Sequence, residues 1–286
     1  MSRNRDRLGP STPQAANPAP QATQQASDGS GFSFVVPTEF VELPSKGRFY
    51  PESHPLHKQD TIEIKQMTAK EEDLLTSRAL LKKGVALDRV IESLILNKSI
   101  NPNSLLVGDR NAIMIAARIS GYGSEYNTSI TCPSCAAVQK YSFNLVDSTL
   151  QHGEIEDALT TTEVGGGLFT TVLPRTKFEV TFRILNGSDE KVLVKQIENA
   201  RKKNREENAV TRQLRLIVVA VNGDETPQAI EHFVSNMPSL DAQHLRTAFA
   251  AATPNVDLTQ FFTCEQCDFE TDLEVPLTAD FFWPNR

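Results

Sequence analysis

The four cysteines of the chain form two Cys-x-x-Cys pairs, Cys132 with Cys135 and Cys264 with Cys267, and no cysteine is left over. Each cysteine of the first pair lies 132 positions before its counterpart in the second. The same separation relates further positions: Asp109 and Asp241, Tyr141 and Leu273, Phe143 and Val275, and Leu145 and Leu277. A constant offset through a helix, a cysteine pair and the following strand indicates an internal duplication.

The segments before the cysteine pairs also match, at a shorter offset. The sequence "KQMTAKEED" (65–73) resembles "RILNGSDEK" (183–191), 118 positions later. The second copy therefore holds about fourteen extra residues, which we place around 202–210. "TIEIK" alternates as a half-buried strand does, and Thr68 with Glu71 predicts a capping box at a helix start. Residues 87–95 fit a strand or a helix equally well.

These patterns predict an α+β fold made of two duplicated mixed α/β units joined through a zinc-ribbon-like site. We place the first unit at 34–150 and the second at 151–286, with the glycines at 165–167 as a flexible joint between the copies. Residues 1–33 are rich in Pro, Gln, Ala, Ser and Gly and have no periodic apolar face. Such a composition predicts a disordered tail, or a tail that becomes ordered against a partner.

Two Cys-x-x-Cys turns can bring four thiolates onto one tetrahedral zinc ion. The spacer of 128 residues between Cys135 and Cys264 is far longer than in common zinc patterns. The duplication explains this spacer, because each copy contributes one pair of ligands. We therefore predict one structural zinc, bound by Cys132, Cys135, Cys264 and Cys267.

Other interpretations of the cysteines are two separate redox disulfides, or four ordinary thiols. A thioredoxin-like pair stands where a strand leads into a helix, whereas both pairs here precede strands. A catalytic zinc keeps one position open for water, whereas four cysteines close the site. No other cluster of catalytic residue types stands out, and the pattern predicts no enzyme and no small-molecule substrate.

Charge narrows the classes of partner. The chain carries 29 basic and 36 acidic residues, a net charge of −7, and 21 of the acidic residues lie in 151–286. This balance disfavours a phosphate-binding surface and hence nucleic acid. No apolar run approaches the ~20 residues of a membrane span, and the N-terminal residues lack the apolar segment of a secretory signal. We therefore expect a chain made in the cytosol.

The last residues of the sequence are unusually aromatic. "ADFFWPNR" (279–286) contains Phe281, Phe282 and Trp283, the only tryptophan. Three aromatic side chains at a chain end need a place to be buried. They pack either onto the second hairpin of the same chain or into a partner subunit, and we note Phe281, Phe282 and Trp283 as candidate partner-binding residues.

An ordered set of motifs resembles a known family. The set comprises "LPSKGRFYP", "MTAKEEDLL", "LLVGDRNAIMIAARISGYG", "CPSC", "VNGDETP" with "FVSNMPSLDA", "CEQC" and "FFWP". Together these motifs, which span about 38–286, are similar to the baseplate hub protein family of T-even-type contractile-tailed bacteriophages. No single motif is specific, but their order is.

The resemblance implies a non-enzymatic structural or assembly component of a phage tail baseplate. Its partners would be other baseplate and tail proteins, and it would pass from the host cytoplasm into the virion. The Pro/Gln-rich leader departs from shorter family members, so its role is not implied. The alternative function is a zinc-ribbon adaptor that binds nucleic acid or transcription machinery, which the acidic balance disfavours. A zinc enzyme is disfavoured by the closed ligand set.

Overall fold

The computed structural model describes residues 35–155, 159–203, 206, 208–275 and 279–282. The tail predicted over 1–33 lies outside these residues, as does Trp283. The described residues from Pro37 onward belong to one compact unit. Helices and strands are both abundant in it, which confirms the predicted α+β class.

The first half begins with two strands, continues through four helices and ends in a hairpin and a short strand. Its elements are β1 (Thr38–Glu42), β2 (Thr61–Lys65), α1 (Ala69–Thr76), α2 (Arg78–Lys83), α3 (Ala86–Leu94), α4 (Val107–Tyr122), β3 (Glu125–Thr131), β4 (Val138–Asn144) and β5 (Thr149–Gln151). The ambiguous segment 87–95 is thus mainly helix, with Ile95 bridging back to Ile64 of β2.

The second half follows a similar order with additions. Its elements are β6 (Thr161–Gly165), β7 (Leu168–Val172), β8 (Glu179–Arg183), α5 (Gly187–Lys202), α6 (Ala209–Ile217), β9 (Val218–Val221), α7 (Pro227–Asn236), α8 (Ser239–Ala252), β10 (Asn255–Asp257), β11 (Thr259–Thr263) and β12 (Glu270–Glu274).

All the strand pairings within the described part of the chain are antiparallel. β6, β7, β8 and β9 form one four-stranded sheet in that order, while β1 pairs with β2, β3 with β4, and β11 with β12. β5 pairs with β10 of the second half. This last pairing links the two halves next to the hairpins that carry the cysteines.

Matched contacts relate the two halves at the offset of 118. Thr68 and Glu71 form a capping box at α1, and Asn186 and Asp189 form one at α5. Each acidic residue also pairs with the last residue of the preceding strand: Lys65 Nζ lies 2.7 Å from Glu71, and Arg183 Nη1 lies 2.7 Å from Asp189. The same arrangement, a capping box with an ion pair to the last strand residue, therefore stands at the junction of β2 with α1 and of β8 with α5.

Matched carboxylates relate the halves at the offset of 132. Asp109 in the first turn of α4 accepts hydrogen bonds from Ser45 N at 3.0 Å and Ser45 Oγ at 2.6 Å. Asp241 in the first turn of α8 accepts from the amides of Arg175 at 2.8 Å and Thr176 at 3.1 Å. Both carboxylates are fully buried. Each one fixes the Leu-Pro turn before β2 or β8 onto a long helix.

Two expectations about the second half need correction. The glycines at 165–167 are not a flexible joint between copies, because they form the tight turn from β6 to β7 with φ of +113°, +62° and +77°. The extra residues do not all lie around 202–210. The offset is 123 where α6 matches α3 and reaches 132 only at α8, so most of the insertion is the segment containing α7.

Most of the buried apolar side chains among the described residues belong to one cluster that includes residues of both halves. Phe143 and Phe262 are fully buried within it, and so are Phe169 and Phe182 of the four-stranded sheet. The division of the chain at residue 150 stays a prediction.

Candidate metal centre

The first cysteine pair occupies the turn between β3 and β4. Cys132 N donates to Ala137 O at 2.8 Å, and Ala136 N donates to Cys132 O at 3.0 Å. Ala136 has a φ of +58°, a conformation that an L-residue adopts only under constraint. The turn thereby places Cys132 inside, where it is buried, and leaves Cys135 exposed.

The second pair repeats this geometry between β11 and β12. Cys264 N donates to Phe269 O at 2.9 Å, and Asp268 N donates to Cys264 O at 3.0 Å. Asp268 has a φ of +52°. Cys264 is buried and Cys267 is exposed, as in the first turn. Two turns of the same conformation thus present one inner and one outer thiol each.

The two turns face each other so that the four thiols converge. Cys132 Sγ lies 3.8 Å from Cys267 Sγ, and Cys135 Sγ lies 3.7 Å from Cys264 Sγ. All four sulfurs lie within 4.8 Å of one another. Four sulfurs around a tetrahedral ion with bonds of about 2.3 Å would lie about 3.8 Å apart. The structure therefore brings together all four residues predicted as ligands, at a spacing that fits one ion.

The same distances do not describe disulfides, whose sulfurs lie about 2.05 Å apart. The close pairs also join the inner thiol of one turn to the outer thiol of the other, so each crosses between the halves. The two separate redox disulfides considered from the sequence, one within each Cys-x-x-Cys turn, are not what the structure shows.

The electrostatics of the cluster favour a bound cation. The backbone amide of Cys135 lowers the pKa of Cys132 to about 7, helped by the Ser134 amide and by neighbouring thiols, against the effect of burial. For Cys267 the Phe269 amide favours the thiolate, but partial desolvation and the other three thiols outweigh this amide and raise the pKa to about 12. Four thiolates at this spacing repel one another, and a divalent cation removes that repulsion.

Two glutamine side chains tie the hairpins together beside the cysteines. Gln139 Nε2 donates to Thr263 O at 3.2 Å, and Gln139 Oε1 accepts from Glu265 N at 3.0 Å. Gln260, on the second hairpin, bonds the first hairpin in the same way. Its Nε2 donates to Asn144 O at 2.7 Å, and its Oε1 accepts from Asn144 N at 3.1 Å. Neither glutamine could be recognised from the sequence, because a glutamine in an alternating strand gives no sign that it bonds another hairpin.

Aromatic rings fill the space beneath the hairpins. Tyr141 packs against Phe143 with ring centroids 4.9 Å apart and against Phe262 at 5.2 Å. The Tyr141 hydroxyl donates to Phe261 O at 2.8 Å, another bond from one hairpin to the other. The relative position of the cysteine turns is therefore set by side-chain contacts as well as by the thiols.

The C-terminal aromatic residues lie close to this layer. Phe281 and Phe282 are 3% and 4% exposed, and the Phe281 ring packs edge-on against Tyr126 at 5.3 Å. Arg118, itself fully buried, donates to Phe281 O at 2.7 Å. A partner contact by these two rings would require them to leave these positions, and it stays a prediction, as it does for Trp283, which lies outside the described residues.

Comparison with known proteins identifies the family. A model of the T4 bacteriophage base plate protein family matches residues 36–283. The chain belongs to this family. No curated protein and no solved structure matches it.

Membership of the base plate family confirms the resemblance seen in the ordered motifs. It assigns the chain a structural role in a phage tail, as part of an assembly with other tail proteins. Within the described part of the chain, no helix is both long and apolar enough to cross a membrane.

Proposed function

We propose that this base plate protein is a non-enzymatic assembly subunit whose two halves are clasped by one structural zinc ion. Cys132 and Cys135 supply two ligands and Cys264 and Cys267 the other two. The convergence of all four sulfurs within 4.8 Å supports the proposal most directly. The partners are other baseplate and tail proteins, and the chain enters the virion after assembly in the host cytoplasm.

Zinc is the ion that the donor set favours. Four thiolates in tetrahedral arrangement suit zinc or iron, whereas carboxylate-preferring ions such as magnesium and calcium are poorly matched. A site with four protein ligands has no open position for water or substrate, which is the mark of a structural zinc. The ion would hold two turns that are more than a hundred residues apart in sequence.

The bound ion would also stiffen the two hairpins that carry the cysteines. A small antiparallel hairpin is marginally stable on its own. An ion shared by both hairpins makes each one depend on the other, so the pair resists separation. A rigid block of this kind is what a subunit needs when neighbouring proteins exert force on it.

Metal analysis of the purified full chain tests the site. We expect close to one equivalent of zinc, lost in the Cys264→Ser and Cys135→Ser variants together with a lower thermal unfolding midpoint. Ser134→Ala is the matched control, because Ser134 is exposed in the same turn and supplies no predicted ligand. Less than half an equivalent of zinc, a stoichiometric amount of iron, or an unchanged midpoint in Cys264→Ser would contradict a structural zinc.

The assembly role is tested separately in particles. Quantitative mass spectrometry of purified tails is expected to find the chain in a fixed ratio to other tail proteins. Its absence from finished tails would contradict the virion location, whatever the metal content of the isolated chain. Binding of the isolated chain to DNA or RNA at physiological salt would instead favour the nucleic-acid adaptor.

A further inference from the structure

One edge of strand β1 has no strand partner among the described residues. In the β1–β2 ladder, Leu43 N donates to Asp60 O at 2.8 Å and Gln66 N donates to Pro37 O at 2.9 Å. In an antiparallel pair, alternate residues bond to the partner strand and the residues between them point their N–H and C=O groups the other way. The backbone groups of Thr38, Phe40 and Glu42 therefore face away from β2.

The second half shows what such an edge binds. β7 corresponds to β1 and pairs with β8 in the same register as β1 with β2. The outward position equivalent to Phe40 is Thr170, and it pairs with Thr162 of β6. β6 thus occupies, in the second half, the edge that β1 offers in the first.

The turn that carries β6 into place cannot be repeated before β1. That turn uses Gly165, Gly166 and Gly167, all with positive φ. The equivalent positions before β1 are Val35, Val36 and Pro37. Proline has its φ fixed near −65° and β-branched residues disfavour positive φ, so the same turn is closed to this sequence. Val35, which would have to pair with Thr38, is not in a strand and is 53% exposed.

Beside this edge lies an apolar groove of about 240 Å³. One wall is β1, and the floor is the α4 face that carries Ala112, Ile115, Ala116 and Ile119. The opposite wall is Leu150 of β5 with Ser148 before it and Val256 of β10. Phe40 is 70% exposed at the rim, the largest exposed fraction among the large hydrophobic residues described. The groove thus combines unpaired backbone groups on one wall with an apolar floor.

We propose that this groove receives an extended segment of another tail protein, which pairs with β1 as an added strand. The occupant is identified by its chemistry: a strand of about five residues, as long as β1, with apolar side chains at alternate positions. The apolar side chains meet the α4 floor, and the backbone bonds Thr38, Phe40 and Glu42. The inference rests on the proposed assembly role, which supplies the partner.

A photoreactive benzoylphenylalanine in place of Phe40 tests the occupant in assembled tails. The expected result is a cross-link to a peptide of a different tail protein, with the apolar alternation described above. The same group in place of Phe261, which is 57% exposed on the second hairpin, is the matched control. A cross-link from position 40 to residues 1–34 of the same chain, a cross-link to a second copy, or no cross-link would each overturn the proposal.

A backbone test separates strand pairing from side-chain contact. Phe40→Pro removes the outward N–H and leaves the bonds to β2 intact, as prolines on edge strands do. We expect incorporation into tails to fall by about tenfold or more, with the isolated chain unfolding within about 3 °C of the wild type. Phe40→Ala keeps the N–H, and we expect its loss of incorporation into tails to be less than half the loss in Phe40→Pro. Equal losses in the two variants, or no loss in either, would contradict strand addition.

The outcomes distinguish this inference from the proposed function. If the chain is absent from tails, the assembly role fails, and the groove proposal that rests on it fails with it. If the chain is present with its zinc but position 40 gives no cross-link to another protein, only the groove proposal fails.

Discussion

The bond pair made by Gln139 gives the sharpest test of how the two hairpins are held. Gln139 is 8% exposed and bonds Thr263 O and Glu265 N across the hairpin boundary at 3.2 Å and 3.0 Å. Gln139→Ala removes both hydrogen bonds at once and leaves the Thr263 carbonyl and the Glu265 amide without the Gln139 side chain. At about 1 kcal/mol for each bond, with a further penalty for the stranded groups, the expected loss is about 2–3 kcal/mol. For a folded unit of this size the thermal midpoint falls by about 4–12 °C.

Thr271→Ala is the matched control for this substitution. Thr271 lies 132 positions after Gln139, at the equivalent place in the second hairpin. Its hydroxyl donates to Asp272 O at 3.4 Å, within its own strand, and among the described residues it bonds nothing on the other hairpin. The expected change is below about 0.5 kcal/mol.

Urea unfolding of the full chain, followed by circular dichroism, measures both variants with the metal bound. Zinc affinity by chelator competition should also weaken in Gln139→Ala, because the cysteine turns are then less preorganised. If Gln139→Ala and Thr271→Ala differ by less than about 0.5 kcal/mol, the two bonds of Gln139 do not order the hairpins. The role assigned to the glutamine would then be wrong.

Further predictions concern the helix α4 and the capping box. Gly108→Ala should destabilise by more than about 3 kcal/mol, because a Cβ there would lie 2.0 Å from Pro254 O, whereas Gly121→Ala in the same helix should change stability by less than about 1 kcal/mol. Both are measured by urea unfolding, and equal effects would contradict the close approach. Burial tends to raise the pKa of Glu71, but the hydrogen bonds from Lys65, Ser93 and Thr68 outweigh burial and lower this pKa from 4.5 to about 2. This carboxylate therefore adds up to about 3 kcal/mol above pH 5, and the contribution is lost as the pH falls from 4.5 towards 2. The stability difference between the wild type and Glu71→Gln should shrink over that pH range, and a constant difference would contradict the assignment.

The cysteine cluster could be predicted from sequence because residue type and spacing alone carry the signal. Paired Cys-x-x-Cys motifs have few structural roles, and a constant offset shows which pairs correspond. The capping box of Thr68 and Glu71 was likewise visible, since its two residue types stand at a fixed spacing. Such signals depend on local chemistry and do not need the tertiary fold.

The parts that could not be predicted depend on tertiary contacts or on backbone conformation. The apolar run at 87–95 satisfies a strand and a helix, and only packing decides between them. Three consecutive glycines allow a joint or a tight turn, and the choice follows from the strands on either side. Gln139 and Gln260 bond residues more than a hundred positions away. No spacing rule reaches that far.

Where the copies differ is as informative as where they agree. Similar cysteine turns, capping boxes at matched positions and matched buried carboxylates build one common frame, and this symmetry brings the four cysteines together. The glycines at 165–167 then let the second copy complete its own sheet, whereas the valines and proline before β1 prevent the first copy from doing the same. A duplicated protein that needed only stability would gain by closing both edges, because an open strand edge invites unwanted pairing. Among the described residues, β1 keeps one edge open beside an apolar groove, and the strand addition proposed above would account for that edge.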